Sequence, residues 1–417
     1  MDPMGMPLLL LAFVFVSVTS LALKWLNLRH QEREGTRVPP ELAGAVDADR
    51  LRRIAAYTRD RTRFGMVSEL FRDVALGLFL FGGLLGAYDA LVSSLTGSVL
   101  AHGVVFFVGL TLASSVLSIP FSLYSSFRIE SRHGFNRLSL PLFWTDWLKG
   151  TVLSVVLVAG LSAAALWLVG QAPERWWLYV WVLFVVVSVL LTFLTPYVIE
   201  PLFFQMKPLH VPGLEGEVRA LSERAGVHVS RVLEVDASRR SSHSNAYFTG
   251  IGAVKRVVLF DTLFGHMTHG EILAILAHEL GHWRKHHVLF RTLWSFAVAL
   301  GALYLAFRLA PSDVLPSLVG LDGASLPARL LVLGVIATIV TFPLTPLASA
   351  WSRHHEWQAD AFAVELRRRP DELASALQKL ATENLSNLHP HPLYAAFYYS
   401  HPPMAERIRK LLGTATA

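Results

Sequence analysis

Seven stretches of this chain are long and apolar enough to cross a lipid bilayer, and that restricts every other choice the sequence can make. A hydrocarbon core of about 30 Å needs roughly 20 apolar residues in a helix, because lipid leaves no other way to pair the backbone. Residues 8–26, 74–92, 99–124, 147–169, 176–198, 288–309 and 330–347 meet that length. Composition agrees: 53% of residues are apolar and 16% charged, where a soluble domain carries about a quarter charged. The first run has no basic segment before it and no small-residue cleavage site, so it reads as retained rather than as a removed signal.

The net charge of +6 would suit a nucleic-acid partner elsewhere, but here the basic residues sit in polar loops between spans. Ten arginines lie between 28 and 73, and Arg128, Arg132 and Arg137 follow the third run. The loops that alternate with these hold Arg175. Seven spans then put the N-terminus outside and the basic loops inside. Residues 199–287 and 349–417 fall on the same inner face, where two separate polar blocks can build one site. The chain therefore divides into 1–198 (spans one to five), 199–287, 288–348 (spans six and seven) and 349–417. The absence of cysteine excludes disulfides, thiolate-bound zinc and a thiol nucleophile. The skew of 30 Arg to 7 Lys is common in GC-rich bacterial genomes.

The first inner block has the pattern of a small α+β unit: a helix at 214–225, a strand near 227–235, and two more at 245–251 and 256–260. Thr268 and Glu271 have capping-box spacing and open the next helix. That helix contains "HELGH", the H-E-x-x-H pattern of zinc proteases. At about 100° per residue, His278 and His282 lie about 40° apart on successive turns and can reach one metal ion. Glu279 flanks that edge, where a carboxylate can hold an attacking water. Leu273, Leu276, Leu280 and Trp283 form an apolar stripe on the opposite side, so one face packs while the other presents the site.

A catalytic zinc takes three protein ligands and keeps one position open. In the polar stretch after the last span, "SRHHEWQADAFAVEL", Glu356 and Asp360 are four apart and share a face. Glu356 is the expected third ligand, and Asp360 is placed to hydrogen-bond a ligating histidine or handle protons. His354 and His355 compete for the ligand role but point elsewhere if Glu356 faces the ion.

In order, "ILAHELGHW", "SRHHEWQADAFA" and "YYSHPPMAERI" resemble the type 1 CAAX prenyl proteases, integral-membrane zinc endopeptidases. "SSHSNAYFTGIG", "IESRHGFNRLS" and "IEPLFFQMKPL" resemble family stretches too, and the match runs from Tyr57 to Ile408. The resemblance implies a mainly α, multi-pass membrane fold: seven helices enclosing a chamber, with a small zincin-like α+β peptidase domain on the cytoplasmic side. It implies one zinc ion per chain on His278, His282 and Glu356, and Glu279 as catalytic base. It gives Asp360 a catalytic or proton-handling role and makes His401, in "SHPP", the residue that steadies the oxyanion. Asn245, with Ala246 and Tyr247 after it, would line the substrate cleft. The expected partners are a peptide or protein substrate, prenylated or not, and the bilayer, with no nucleic acid. The expected location is a bacterial inner membrane, the site facing the cytoplasm. The C-terminal "LLGTATA" carries no di-lysine retrieval signal.

Three other readings are open to these residues. A quality-control metalloprotease with unprenylated substrates would share the zinc motifs. A non-catalytic membrane zinc-binding protein would need the ligands without the base, yet Glu279 is present. An intramembrane site-two protease would pair the histidine motif with an L-D-G, and Leu321, Asp322 and Gly323 supply one. The charge rule, however, puts that loop across the bilayer from His278.

Overall fold

The computed structural model describes residues 4–249 and 255–415. Helix α1 (Gly5–Glu34) runs unbroken because Pro7 lies in its first turn, where a missing N–H costs nothing. α2 (Ala48–Phe81) starts on Asp47, whose carboxylate accepts the Arg50 N–H. It ends at Gly82 and Gly83, the latter at φ +81°, and α3 (Leu84–Leu95) departs at 66°. The expected rod over 74–92 is therefore two helices meeting at a corner. The glycine pair supplies the left-handed residue that an apolar pattern does not register.

α4 (Val99–Tyr124) contains Pro120 and runs into a π-helical segment, Ser125–Glu130. α5 (Leu140–Gln171) and α6 (Trp176–Leu194) follow, the latter passing through a second π segment, Thr195–Ile199, into the short α7 (Glu200–Phe203). Among the described residues six helices are long and apolar enough to span a membrane, or seven with the bent pair taken as one span. At most 11% of any such spanning window is buried, so the apolar surface faces outward, as it does against lipid.

The inner unit opens with β1 (Met206–Pro208), which the apolar pattern did not reveal, and α8 (Leu214–Arg224). β2 (Arg231–Val235), β3 (Ala246–Thr249) and β4 (Arg256–Phe260) complete a four-stranded sheet in the order β1-β2-β4-β3. β2 pairs parallel with β4, while β3 pairs antiparallel with β4 and forms a sheet edge. The strand expected at 227–235 begins only at Arg231, and the last part of the one expected at 245–251 lies outside the described residues.

α9 (His269–Arg284) packs on this sheet; Leu273, Leu276 and Leu280 are buried there with Val257 and Leu259 in one continuous core. Each such leucine contributes about 1.5–3 kcal/mol, and together they set the helix's rotation. The chain then returns through α10 (His287–Leu309), α11 (Val314–Ser317) and α12 (Leu326–Thr341). α13 (Thr345–Arg367) continues α12 across a 3₁₀ turn at Phe342–Leu344, so residues 326–367 form one extended helical run. The polar helix expected after the last span is thus the inner end of that run. α14 (Pro370–Glu383), α15 (Pro392–Tyr398) and α16 (Met404–Ala415) close the inner unit.

Candidate active site

The site is built where α9 crosses α13. The start of α9 is fastened twice. Thr268 and Glu271 form the reciprocal capping box, and Ser375 and Lys379 of α14 donate to the same Glu271 carboxylate. Burial alone would raise the Glu271 carboxyl, but Lys379 and Ser375 hold it below its ordinary range. One turn from the crossing, Gly281 has a role that spacing alone does not reveal. A Cβ there would sit 2.9 Å from the Ala359 Cα, so only glycine lets the helices approach this closely. Ala359 lies between Glu356 and Asp360, and the close approach delivers both carboxylates to the histidines.

His278 Nε2 is 3.3 Å from His282 Nε2 and 3.3 Å from Glu356 Oε2, and His282 Nε2 is 3.2 Å from Glu356 Oε1. The outer face of each imidazole fixes its proton. His278 Nδ1 donates to Asp360 Oδ1 at 2.7 Å, and Arg407 grips that carboxylate through Nε (2.9 Å) and Nη2 (2.6 Å). His287 Nε2 donates to Gln358 Oε1 at 2.7 Å, so His287 Nδ1 is an acceptor and takes the proton of His282 Nδ1 at 3.0 Å. Both Nε2 atoms then present lone pairs, and they face a carboxylate whose buried Oε2 has no hydrogen-bond partner among the described residues.

Three acceptors with no proton between them repel unless a cation sits among them. These residues fit one: ligand bonds of 2.0–2.1 Å in a tetrahedron would put the donor atoms about 3.3–3.4 Å apart. Among the described residues His278, His282 and Glu356 are the group able to hold a metal ion.

Glu279 faces the same space, partly exposed; burial pushes its carboxyl up while the two imidazoles pull it back. A cavity of about 960 Å³ opens beside the site and is lined by His278, Glu279, Asn245, Ala246 and His401, among others. His401 Nε2 lies 3.5 Å from Glu356 Oε1. The Tyr247 side chain turns to the other face of the sheet, packing with Val235 and Val258, so in this strand the cavity side belongs to its neighbours and the backbone. His355 stacks on His287 at 4.0 Å, and His354 accepts from the Gln358 amide at 3.1 Å. Neither histidine joins the ligand group. Leu321 of the L-D-G packs against α3 at Gly86, within the apolar cluster of Leu80, Leu85 and Phe106, and contributes nothing here.

Arg407, His287 and Gln358 were not found by sequence reasoning. Each acts through a partner on another helix. The one available signal was that buried Asp360 demands a cation and that "MAERI" supplies an arginine shortly after His401.

The N-terminal part, residues 27–205, matches the family described as CAAX prenyl protease N-terminal, five membrane helices; residues 208–415 match peptidase family M48. A CAAX prenyl protease 1 homolog of Arabidopsis thaliana is 34% identical over 401 residues, covering 90% of each chain. CAAX prenyl protease 1 of Saccharomyces cerevisiae is 31% identical, covering 92% of this chain and 90% of its own. The crystal structure of S. mikatae Ste24p superposes with a TM-score of 0.89 at 27% identity, over 97% of this chain and 99% of that one. With these matches spanning both the membrane helices and the histidine–glutamate site, the chain belongs to the M48 peptidases of the CAAX prenyl protease 1 type and is a multi-pass membrane zinc metalloprotease.

Proposed function

We propose that this chain cuts a peptide bond near the C-terminus of a prenylated CAAX-type substrate, or of a related membrane-associated peptide. His278, His282 and Glu356 would hold one zinc ion. The observation that carries this reading is the set of converging lone pairs, which shares one cavity with Glu279 and the edge strand β3. When bound, the cation polarises the scissile carbonyl and makes water a stronger acid.

The chain's own groups do the rest. Glu279 takes the proton of the attacking water and delivers it to the leaving amine. Asp360, itself held by Arg407, keeps the His278 ring turned with Nε2 inward. His401 Nε2 is placed to donate to the oxyanion that develops on the carbonyl. The substrate lies extended along β3, whose outer edge has no strand partner among the described residues, at Asn245, Ala246 and Tyr247. The same reading divides the chain at 1–198, 199–287, 288–348 and 349–417. It also puts the site on the side of the basic loops, in a bacterial inner membrane facing the cytoplasm. Arg50 pairs with Glu383 and Arg409 with Glu41, which ties the first basic loop to the peptidase unit.

The test is turnover of purified protein on matched farnesylated and unmodified peptides, beside the Glu279→Gln variant. Glu279→Gln is expected to retain zinc and lose about 10²–10⁴-fold in rate; undiminished turnover would remove Glu279 from the chemistry. Equal rates on the two peptides would replace the prenylated substrate by unmodified membrane proteins.

A further inference from the structure

The active-site cavity is also lined by three permanent cations, Lys24, Arg61 and Arg407, while Glu279 is the one carboxylate among its described lining residues. Two of the cations are already committed. Arg407 is buried in its bidentate grip on Asp360, and Lys24 Nζ lies 2.5 Å from Glu69. Arg61 is different. Its side chain is 61% exposed, and among the described residues its guanidinium makes one hydrogen bond, from Nη1 to the Tyr57 hydroxyl at 3.3 Å. The nearest carboxylate, Glu130, stands at 4.0 Å and is occupied elsewhere: it accepts the Tyr57 hydroxyl at 2.9 Å and faces His243 at 3.3 Å. Arg61 therefore keeps free N–H groups toward the space where a peptide must lie, with Glu130 at 4.0 Å as its loose counter-charge.

Its position along that space follows from its contacts. Arg61 touches Tyr57, and the Tyr57 hydroxyl is 3.5 Å from His243. His243 and Ser244 are both held by Asn384 Oδ1, and Asn245 follows at the mouth of β3. Arg61 thus stands at the end where β3 begins. A peptide pairing antiparallel with β3, as β4 does on the other side, runs its C-terminus toward that same end.

We propose that Arg61 receives the free C-terminal carboxylate of the substrate and so sets the cut a short, fixed distance from the chain end. This rests on the peptidase reading above and deepens it by naming the residue that reads the chain end. A guanidinium suits a carboxylate because two parallel N–H groups can meet its two oxygens.

The experiment uses the full chain in nanodiscs of zwitterionic lipid alone, so that no anionic headgroup competes for Arg61. The probe is one farnesylated peptide ending three residues past its cysteine, prepared as the free acid and as the C-terminal amide. For the native chain the acid is expected to exceed the amide in kcat/KM by about ten- to a hundredfold, the worth of one charged hydrogen-bonded contact. Arg61→Ala should bring that ratio to near one, and Arg61→Lys should restore part of it. The exposed position of Arg61 makes both variants compatible with folding. An acid-to-amide ratio of one in the native chain, or one unchanged in Arg61→Ala, overturns the proposal while proteolysis stands. Cleavage of neither form removes the peptidase reading and the proposal together.

Discussion

Two of the places where histidine meets carboxylate in this molecule differ in what they leave unpaired. At the junction of α3, α4 and α12, Asp89 Oδ1 meets His102 Nε2 at 2.9 Å and the Ser325 hydroxyl at 2.5 Å, while Oδ2 accepts the Ser325 N–H at 2.9 Å. Each carboxylate oxygen has a proton directed at it. The result is a tie that joins the α2–α3 corner to the start of α12, with Ser325 also capping that helix. At the α9–α13 crossing the N–H protons of the two imidazoles point away from the centre, to Asp360 and His287, and their Nε2 lone pairs remain inside. Similar side chains make a clasp in one place and a socket in the other. The direction of the hydrogen bonds separates them, more than the residue types do.

The contrast can be broken at three points. The largest effect is expected from Glu356→Gln, which removes the charge that offsets a dication. Zinc per chain, measured by elemental analysis, should fall well below one. Activity should drop by more than the roughly 10–100-fold that a change outside the ligand set costs. Full zinc occupancy in that variant would mean the socket lies elsewhere. Asp360→Asn comes next: it frees Arg407 from its partner and loosens the His278 ring, at an expected cost of about 10–100-fold in zinc affinity or rate. A zinc titration of the stripped variant reads this directly, and unaltered affinity would reduce Asp360 to packing. The smallest effect on catalysis belongs to Asp89→Leu. Loss of the clasp strands His102 and Ser325, costs about 1–3 kcal/mol and lowers Tm, with zinc content and kcat/KM close to native. A zinc loss there would erase the distinction between clasp and socket.

How much of this was legible beforehand depends on how far apart the interacting residues lie. His278, Glu279 and His282 sit within five positions, and the period of one helix places them without reference to the rest of the fold. Glu356 and Asp360 could be matched to each other by the same period, but their meeting with α9 needed Gly281 and Ala359 to touch. The apolar runs registered as spans because lipid accepts few alternatives to a helix. The corner at Gly82–Gly83 was missed since hydropathy ignores backbone freedom, and β1 since three residues carry too little pattern.

By itself, then, the order of residues settled what depends on a local repeat: where helices cross the bilayer, which helix bears the metal motif, and which face of it is polar. Only the tertiary structure decided which way each imidazole turns its lone pair, through Asp360 with Arg407 and His287 with Gln358. It also decided that Arg61 looks into the same cavity. Those outcomes rest on contacts between segments up to 186 residues apart. Such contacts form only after long loops are closed by packing, and no local repeat encodes them.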